Sequence, residues 1–219
     1  KKGDGLIASP RQVDFDWMGV QDWFDIFNSH QVISKQGDVD LLFLGDSLTE
    51  NWDRTVISKY FDDFSSANFG IGGDHTGNLL WRLQNMLLEG FSPKLIVLQI
   101  GVNNIGHLGE CPETIVKGID KVLGACMRSM PNSQILLNGI LPFEQSPAHP
   151  SRNIVKGVNQ YIEKCADDNK IFYQDDGYLF LTEDGTITPE IMPDFLHPSA
   201  KGYEIWAQPL SRTIKRILG

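Results

Sequence analysis

The sequence predicts a doubly wound α/β fold. A five-stranded parallel sheet in the flavodoxin-like order 2-1-3-4-5 forms the middle of a three-layer α/β/α sandwich. Three observations lead there. Short apolar runs such as Leu41–Leu44 and Leu95–Leu98 suit buried strands. From Val39 onward these runs alternate with stretches of helical periodicity, the signature of βαβ units and of a parallel sheet covered on both faces. Right-handed crossovers then leave few topologies.

The elements follow in order. Trp17, Trp23, Phe24, Phe27 and Ile33 recur at roughly helical spacing and predict a helix whose apolar stripe packs across the domain. Trp17 and Trp23 are read as core residues of that helix, with a substrate platform or a homodimer face as the alternative. Val39–Leu44 is the first strand, and a helical stretch spans Leu48–Phe61. Ser65–Phe69 is a second, weaker strand. Thr76 is placed to cap a helix whose Leu79, Leu80, Leu83 and Leu87 share a face. Lys94–Ile100 is a third strand. Pro112 suits the first turn of a helix carrying Ile115, Val116, Ile119, Val122 and Leu123. Gln134–Leu141 is the fourth strand, a helix follows through Ile154, Val158, Tyr161, Ile162 and Cys165, and Ile171–Tyr173 is the fifth strand. A last helix runs from about Ser199 to Ile217. The whole reads as one domain over residues 1–219, with residues 1–38 as a helical extension packed on it.

Composition narrows the function. The 219 residues carry 19 Lys and Arg against 28 Asp and Glu, a formal charge of −9. That argues against neutralising a nucleic-acid backbone or an anionic membrane surface, and leaves a small neutral substrate open. No apolar run approaches the ~20 residues of a membrane span. The first residue is Lys, so a trimmed or processed chain is expected. A soluble protein, cytoplasmic or exported with its signal removed, fits equally. Cys111, Cys126 and Cys165 form no CxxC, and a single disulfide with one thiol left over stays open. The five His include no HExxH, so a metal enzyme is not expected.

In doubly wound sheets ligands bind beyond the carboxyl ends of the strands, so the loops there carry the argument. Gly45-Asp46-Ser47-Leu48 lifts a hydroxyl to a helix N-terminus, where free N–H groups favour developing negative charge. On its own this is a helix-capping serine. Gly70-Ile71-Gly72-Gly73-Asp74 allows a sharp turn and close approach of backbone to ligand. A dinucleotide fingerprint fails because His75 stands where the third Gly is needed. The P-loop spacing of Gly101 to Gly106 fails because His107 stands where Lys is required. Asn103 after the third strand can be a turn residue or can aim its amide at an oxyanion. Asp194-Phe195-Leu196-His197 places a carboxylate within reach of an imidazole. Gly-Asp-Ser and Asp-x-x-His each favour the ordinary structural reading when taken alone, and Asn103 alone is undecided. Together they supply a hydroxyl, oxyanion donors, a base and an orienting group at one sheet edge, which is what acyl transfer requires.

The segments LFLGDSLTENW, NFGIGGDHTGNLLWRL, IGVNNIGH and DFLHPSAKGY resemble the four blocks of the SGNH, or GDSL, hydrolase superfamily. The likeness runs from about Val39 to the C-terminus and is nearest to esterases of the platelet-activating-factor acetylhydrolase Ib catalytic-subunit type. Many superfamily members have Gly-x-Asn-Asp in the third block; Gly-Val-Asn-Asn here points to that subgroup. The resemblance implies Ser47 as nucleophile, His197 as base and Asp194 as its partner. It implies Ser47 N–H, Gly73 N–H and the Asn103 amide as oxyanion donors. It also implies a shallow site, no metal and no cofactor, and short acyl groups, chiefly acetyl.

The expected activity is a serine esterase acting on short-chain acyl esters. Acetylated glycans and phospholipid-like acetyl esters are the two open alcohol classes. Leu48, Trp52, Phe143, Phe195 and Leu196 are candidate walls of the acyl pocket, although each residue type is more often found in a core. A binding module with decayed catalysis, and a flavin- or nucleotide-binding protein, are the competing readings. Fold alone decides none of them.

Overall fold

The computed structural model describes residues 3–219. Its sheet has five parallel strands in the order β2-β1-β3-β4-β5, as the alternation predicts. The strands are β1 (Leu41–Gly45), β2 (Ser66–Gly70), β3 (Leu95–Gln99), β4 (Gln134–Asn138) and β5 (Ile171–Gln174). Central β1 and β3 are buried along their whole length, because helices cover both sheet faces. Edge strands β2 and β5 are only partly buried.

The helices are α1 (Val20–Gln36), α2 (Ser47–Glu50), α3 (Arg54–Phe61), α4 (Thr76–Asn85), α5 (Val102–Gly106), α6 (Pro112–Ser129), α7 (Pro150–Ile162) and α8 (Ala200–Leu218). Helix α4 packs on α6 and α6 on α7, while α3 packs on α8. Right-handed crossovers place these two groups on opposite faces of the sheet. No helix among the described residues is long and apolar enough to cross a membrane.

Four local expectations are corrected. The single helical stretch Leu48–Phe61 is two helices. Trp52 leaves the helix to enter the core beside Phe43, Phe61, Tyr203 and Trp206, and Asp53 restarts it by accepting bonds from Thr55 N (2.9 Å) and Val56 N (3.0 Å). Helix α4 is capped by His75, whose Nδ1 accepts from Gly77 N at 3.1 Å; Thr76 is already its first residue. That helix ends at Asn85, so Leu87 lies beyond its apolar face and is exposed. The amino-terminal stripe is also split. Trp23 is fully buried, whereas Trp17 precedes α1 and is 58% exposed. All three cysteines are free.

Strand register sets up the functional edge. Gly45 lies opposite Gly70 on one side and Gln99 on the other, so β1, β2 and β3 end level. The segments that follow them therefore emerge side by side: Asp46-Ser47, Ile71 to Asp74, and Ile100 to Asn103.

Candidate active site

Ser47 is the first residue of α2, immediately beyond β1. Asp46 caps that helix by accepting from Leu48 N at 3.0 Å, which leaves the Ser47 N–H without a partner among the described residues. The Ser47 Oγ lies 2.9 Å from His197 Nε2, although 150 positions separate them. His197 Nδ1 in turn lies 2.6 Å from Asp194 Oδ2. With the carboxylate on Nδ1, that nitrogen carries the proton and Nε2 faces the hydroxyl as an acceptor.

The Asp194–His197 loop is tightly folded. Asp194 Oδ1 accepts from His197 N at 2.7 Å and Leu196 N at 3.1 Å. The turn requires Phe195 at φ +60°, a left-handed conformation uncommon for a bulky residue. The Phe195 carbonyl is held by Glu144 N at 2.8 Å. Partial burial works to raise the Asp194 carboxyl. The hydrogen bonds from His197 outweigh it and leave the group below the ordinary carboxylate value.

Two further donors face the same cleft. Gly73 sits at φ +76°, and an added Cβ would meet the Trp17 ring at 2.8 Å and Arg11 Nη2 at 2.9 Å. Only glycine fits that turn, and its N–H has no protein acceptor among the described residues. Asn103 Nδ2 donates to the Asp74 carbonyl at 2.9 Å, which fixes the amide orientation and leaves its second hydrogen for another acceptor. Ser47, Gly73, Asn103 and His197 line one cavity of about 340 Å³, together with Trp17, Met18, Glu50, Asn51 and Leu196.

A buried polar network stands behind this edge. Asp74 accepts from Trp23 Nε1 at 2.7 Å and from Arg82 Nε at 2.8 Å. Arg82 also donates to the carbonyls of Phe69 (2.7 Å) and Gly45 (2.9 Å), tying β1 and β2 to the glycine loop. Glu50 Oε2 accepts from Gly72 N at 2.6 Å, and burial pushes its carboxyl above the ordinary value. Among the described residues no group of three or more His, Cys, Asp or Glu is placed to hold a metal ion.

The five candidate pocket walls divide. Leu196 lines the 340 Å³ cavity. Phe143, Phe195 and Leu196 line an adjoining one of about 190 Å³ with Val102. Leu48 and Trp52 are corrected to core residues, 1% and 6% exposed: Leu48 is buried within α2, and Trp52, beyond its end, packs among Phe43, Phe61, Tyr203 and Trp206. Sequence reasoning missed Glu50, Arg82 and Arg11. Arg82 stood within a helical apolar pattern, and nothing around Arg11 set it apart from a surface residue.

This fold, with a hydroxyl, an imidazole and amide donors collected at the carboxyl edge of its sheet, is that of an α/β acylhydrolase, and the family match and relatives that follow make the chain an ester-hydrolysing enzyme. Residues 43–205 match the GDSL-like Lipase/Acylhydrolase family. Over 218 residues the chain is 32% identical to platelet-activating factor acetylhydrolase IB subunit alpha1 of Bos taurus, covering 99% of this chain and 92% of that one. The fold matches a GDSL-like lipase from Bacteroides thetaiotaomicron with a TM-score of 0.71 at 19% identity, over 88% of this chain and 97% of the other. It also matches an acetylxylan esterase from Geobacillus stearothermophilus with a TM-score of 0.62 at 19% identity, over 81% and 94%. The chain belongs to the GDSL-like lipase/acylhydrolase family.

Proposed function

We propose that the protein is a serine esterase for short-chain acyl esters, chiefly acetyl esters, acting through Ser47, His197 and Asp194. The observation that carries this reading is the relay from Ser47 Oγ to His197 Nε2 at 2.9 Å and from Nδ1 to Asp194 at 2.6 Å. His197 takes the Ser47 proton as Oγ attacks the ester carbonyl. The carbonyl oxygen becomes an oxyanion held by Ser47 N–H, Gly73 N–H and the free Asn103 amide hydrogen. The C–O bond then breaks and His197 protonates the leaving alcohol. Water, activated by the same imidazole, releases the acid from the acyl-enzyme.

Short acyl groups are supported by the adjoining cavity of about 190 Å³, walled by Val102, Phe143, Phe195 and Leu196. Those four apolar side chains share its wall with Asn103, His107, Glu144 and Asp194, and its volume suits a short acyl group. A series of p-nitrophenyl esters tests this. kcat/KM falls from acetyl through butyryl to octanoyl; a profile flat or rising with chain length contradicts the reading.

The larger cavity supports a second statement, about the alcohol. Trp17 offers an exposed indole there, and the polar side chains of Glu50 and Asn51 line the same cavity. An aromatic face beside hydroxyl-binding groups suits an O-acetylated sugar better than a phospholipid-like chain. Trp17→Ala is expected to lower kcat/KM on acetylated xylo-oligosaccharides at least about tenfold and to leave p-nitrophenyl acetate within about threefold. Equal losses on both substrates would remove the sugar assignment.

A further inference from the structure

We propose that Arg11 is a positioning residue for the oxyanion hole, so that the reaction depends on an amino-terminal strap outside the family-matched residues 43–205. The proposal rests on the esterase reading above and extends it to a residue that never touches substrate.

Arg11 is 4% exposed, although it lies in an irregular segment before α1. Its Nη2 donates to the Gly72 carbonyl at 2.5 Å and lies 3.4 Å from Asp74 Oδ1. Its Nη1 reaches Met18 Sδ at 3.4 Å, and its guanidinium carbon sits 4.9 Å from the Phe15 ring centroid and 5.8 Å from that of Trp17. The strap from residue 11 to residue 18 thus closes around the guanidinium.

The Gly72 carbonyl and the Gly73 N–H belong to one peptide plane. No peptide bond among the described residues is cis, so the two groups point in opposite directions. Holding the carbonyl from behind therefore aims the N–H forward into the cavity that Gly73 lines. Glycine at both positions gives this plane little intrinsic preference, so its orientation has to come from partners. Glu50 fixes the preceding plane through Gly72 N, and Arg11 fixes this one. A charged donor on the carbonyl also polarises the amide toward a stronger N–H donor.

Arg11 reaches the second donor as well. It contacts Asp74, whose main-chain carbonyl orients the Asn103 amide. Neutralising Asp74 is not its principal task. Arg82 and Trp23 already pair that carboxylate at 2.8 and 2.7 Å, both closer than Arg11. The shortest contact of Arg11 is with the carbonyl behind the oxyanion donor.

The test uses the full chain with Arg11→Met and Arg11→Lys. Active sites are counted by fluorophosphonate titration, and turnover is measured on p-nitrophenyl acetate. Arg11→Met is expected to lower kcat per titrated site about 10- to 100-fold, with KM within about threefold, as misplacement of a catalytic group does. Arg11→Lys keeps a charge but loses the planar fork, and falls between. A trifluoromethyl ketone places a tetrahedral oxyanion in the hole, so its affinity should drop by the same factor as kcat/KM. If kcat and trifluoromethyl ketone affinity both stay within twofold of the parent, or if kcat falls while that affinity holds, the proposal is overturned. A loss confined to the number of titratable sites overturns it too, because that marks a role in folding. Should Arg11→Met fail to fold, Arg11→Lys is judged by the same criteria. Ser47→Ala separates the layers. An inactive Ser47→Ala beside fully active Arg11 variants sinks only the Arg11 proposal; an active Ser47→Ala sinks the esterase reading beneath it.

Discussion

Asn103 illustrates how much of the site rests on single hydrogen bonds. One amide hydrogen is committed to the Asp74 carbonyl, which holds the side chain at the wall of the cavity with its second amide hydrogen uncommitted. Asn103→Ala is expected to reduce kcat about 10²- to 10³-fold with little change in KM, as loss of one oxyanion donor does; kcat within twofold of the parent would remove Asn103 from the hole. The chemical letters at this scale were legible because serine, glycine, asparagine and the Asp-x-x-His pair stand just past strand ends. Their supports were not. Arg11, Glu50 and Arg82 act through backbone carbonyls and amides, and such partnerships leave no periodic trace in a sequence. Leu48 and Trp52 were misplaced for a related reason. Adjacency to Ser47 along the chain says nothing about which way a side chain turns once α2 begins.

Short elements at the sheet edge hold these residues in place. Asp46 caps α2 from a fully buried position, and its Oδ2 has no hydrogen-bond partner among the described residues. Burial pushes its carboxyl up to about 7, with nearby Asp74 adding to the rise and the Leu48 N–H opposing it. The folded chain therefore keeps a proton that the unfolded chain releases near the ordinary carboxylate value of ~3.9. Stability from this group falls as pH rises from about 4 to about 7, then levels off. Denaturant midpoints for the parent and for Asp46→Asn check the sign. The variant should gain on the order of 2 kcal/mol relative to the parent between pH 5 and pH 8; a difference independent of pH would contradict it. Element boundaries were the less legible part of the fold. The break between α2 and α3 follows from Trp52 joining a cluster with Tyr203 and Trp206, residues about 150 positions away that no local pattern could supply. The exposed Trp17 and buried Trp23 share a sequence stripe, yet the start of α1 at Val20 separates them.

Across the whole molecule, strand order was the most legible feature, because continuous apolar strands joined by helices admit few right-handed arrangements. That order brings the ends of β1, β2 and β3 level and delivers residue 47, residues 71 to 74 and residue 103 to one edge. The last helix then closes the site from the far end of the chain: Ser199 caps α8 by accepting from Gly202 N, and Tyr203 donates to the Leu48 carbonyl at 2.8 Å. The 194–197 loop is thereby held over α2. The meeting of Ser47 with His197 is the central claim, and covalent labelling measures it most directly. Incubation with a fluorophosphonate followed by peptide mass spectrometry should give one adduct, on Ser47, formed at least about 10³-fold more slowly in His197→Ala. An adduct on another residue, or labelling of Ser47 at the parent's rate without the imidazole, would contradict the account.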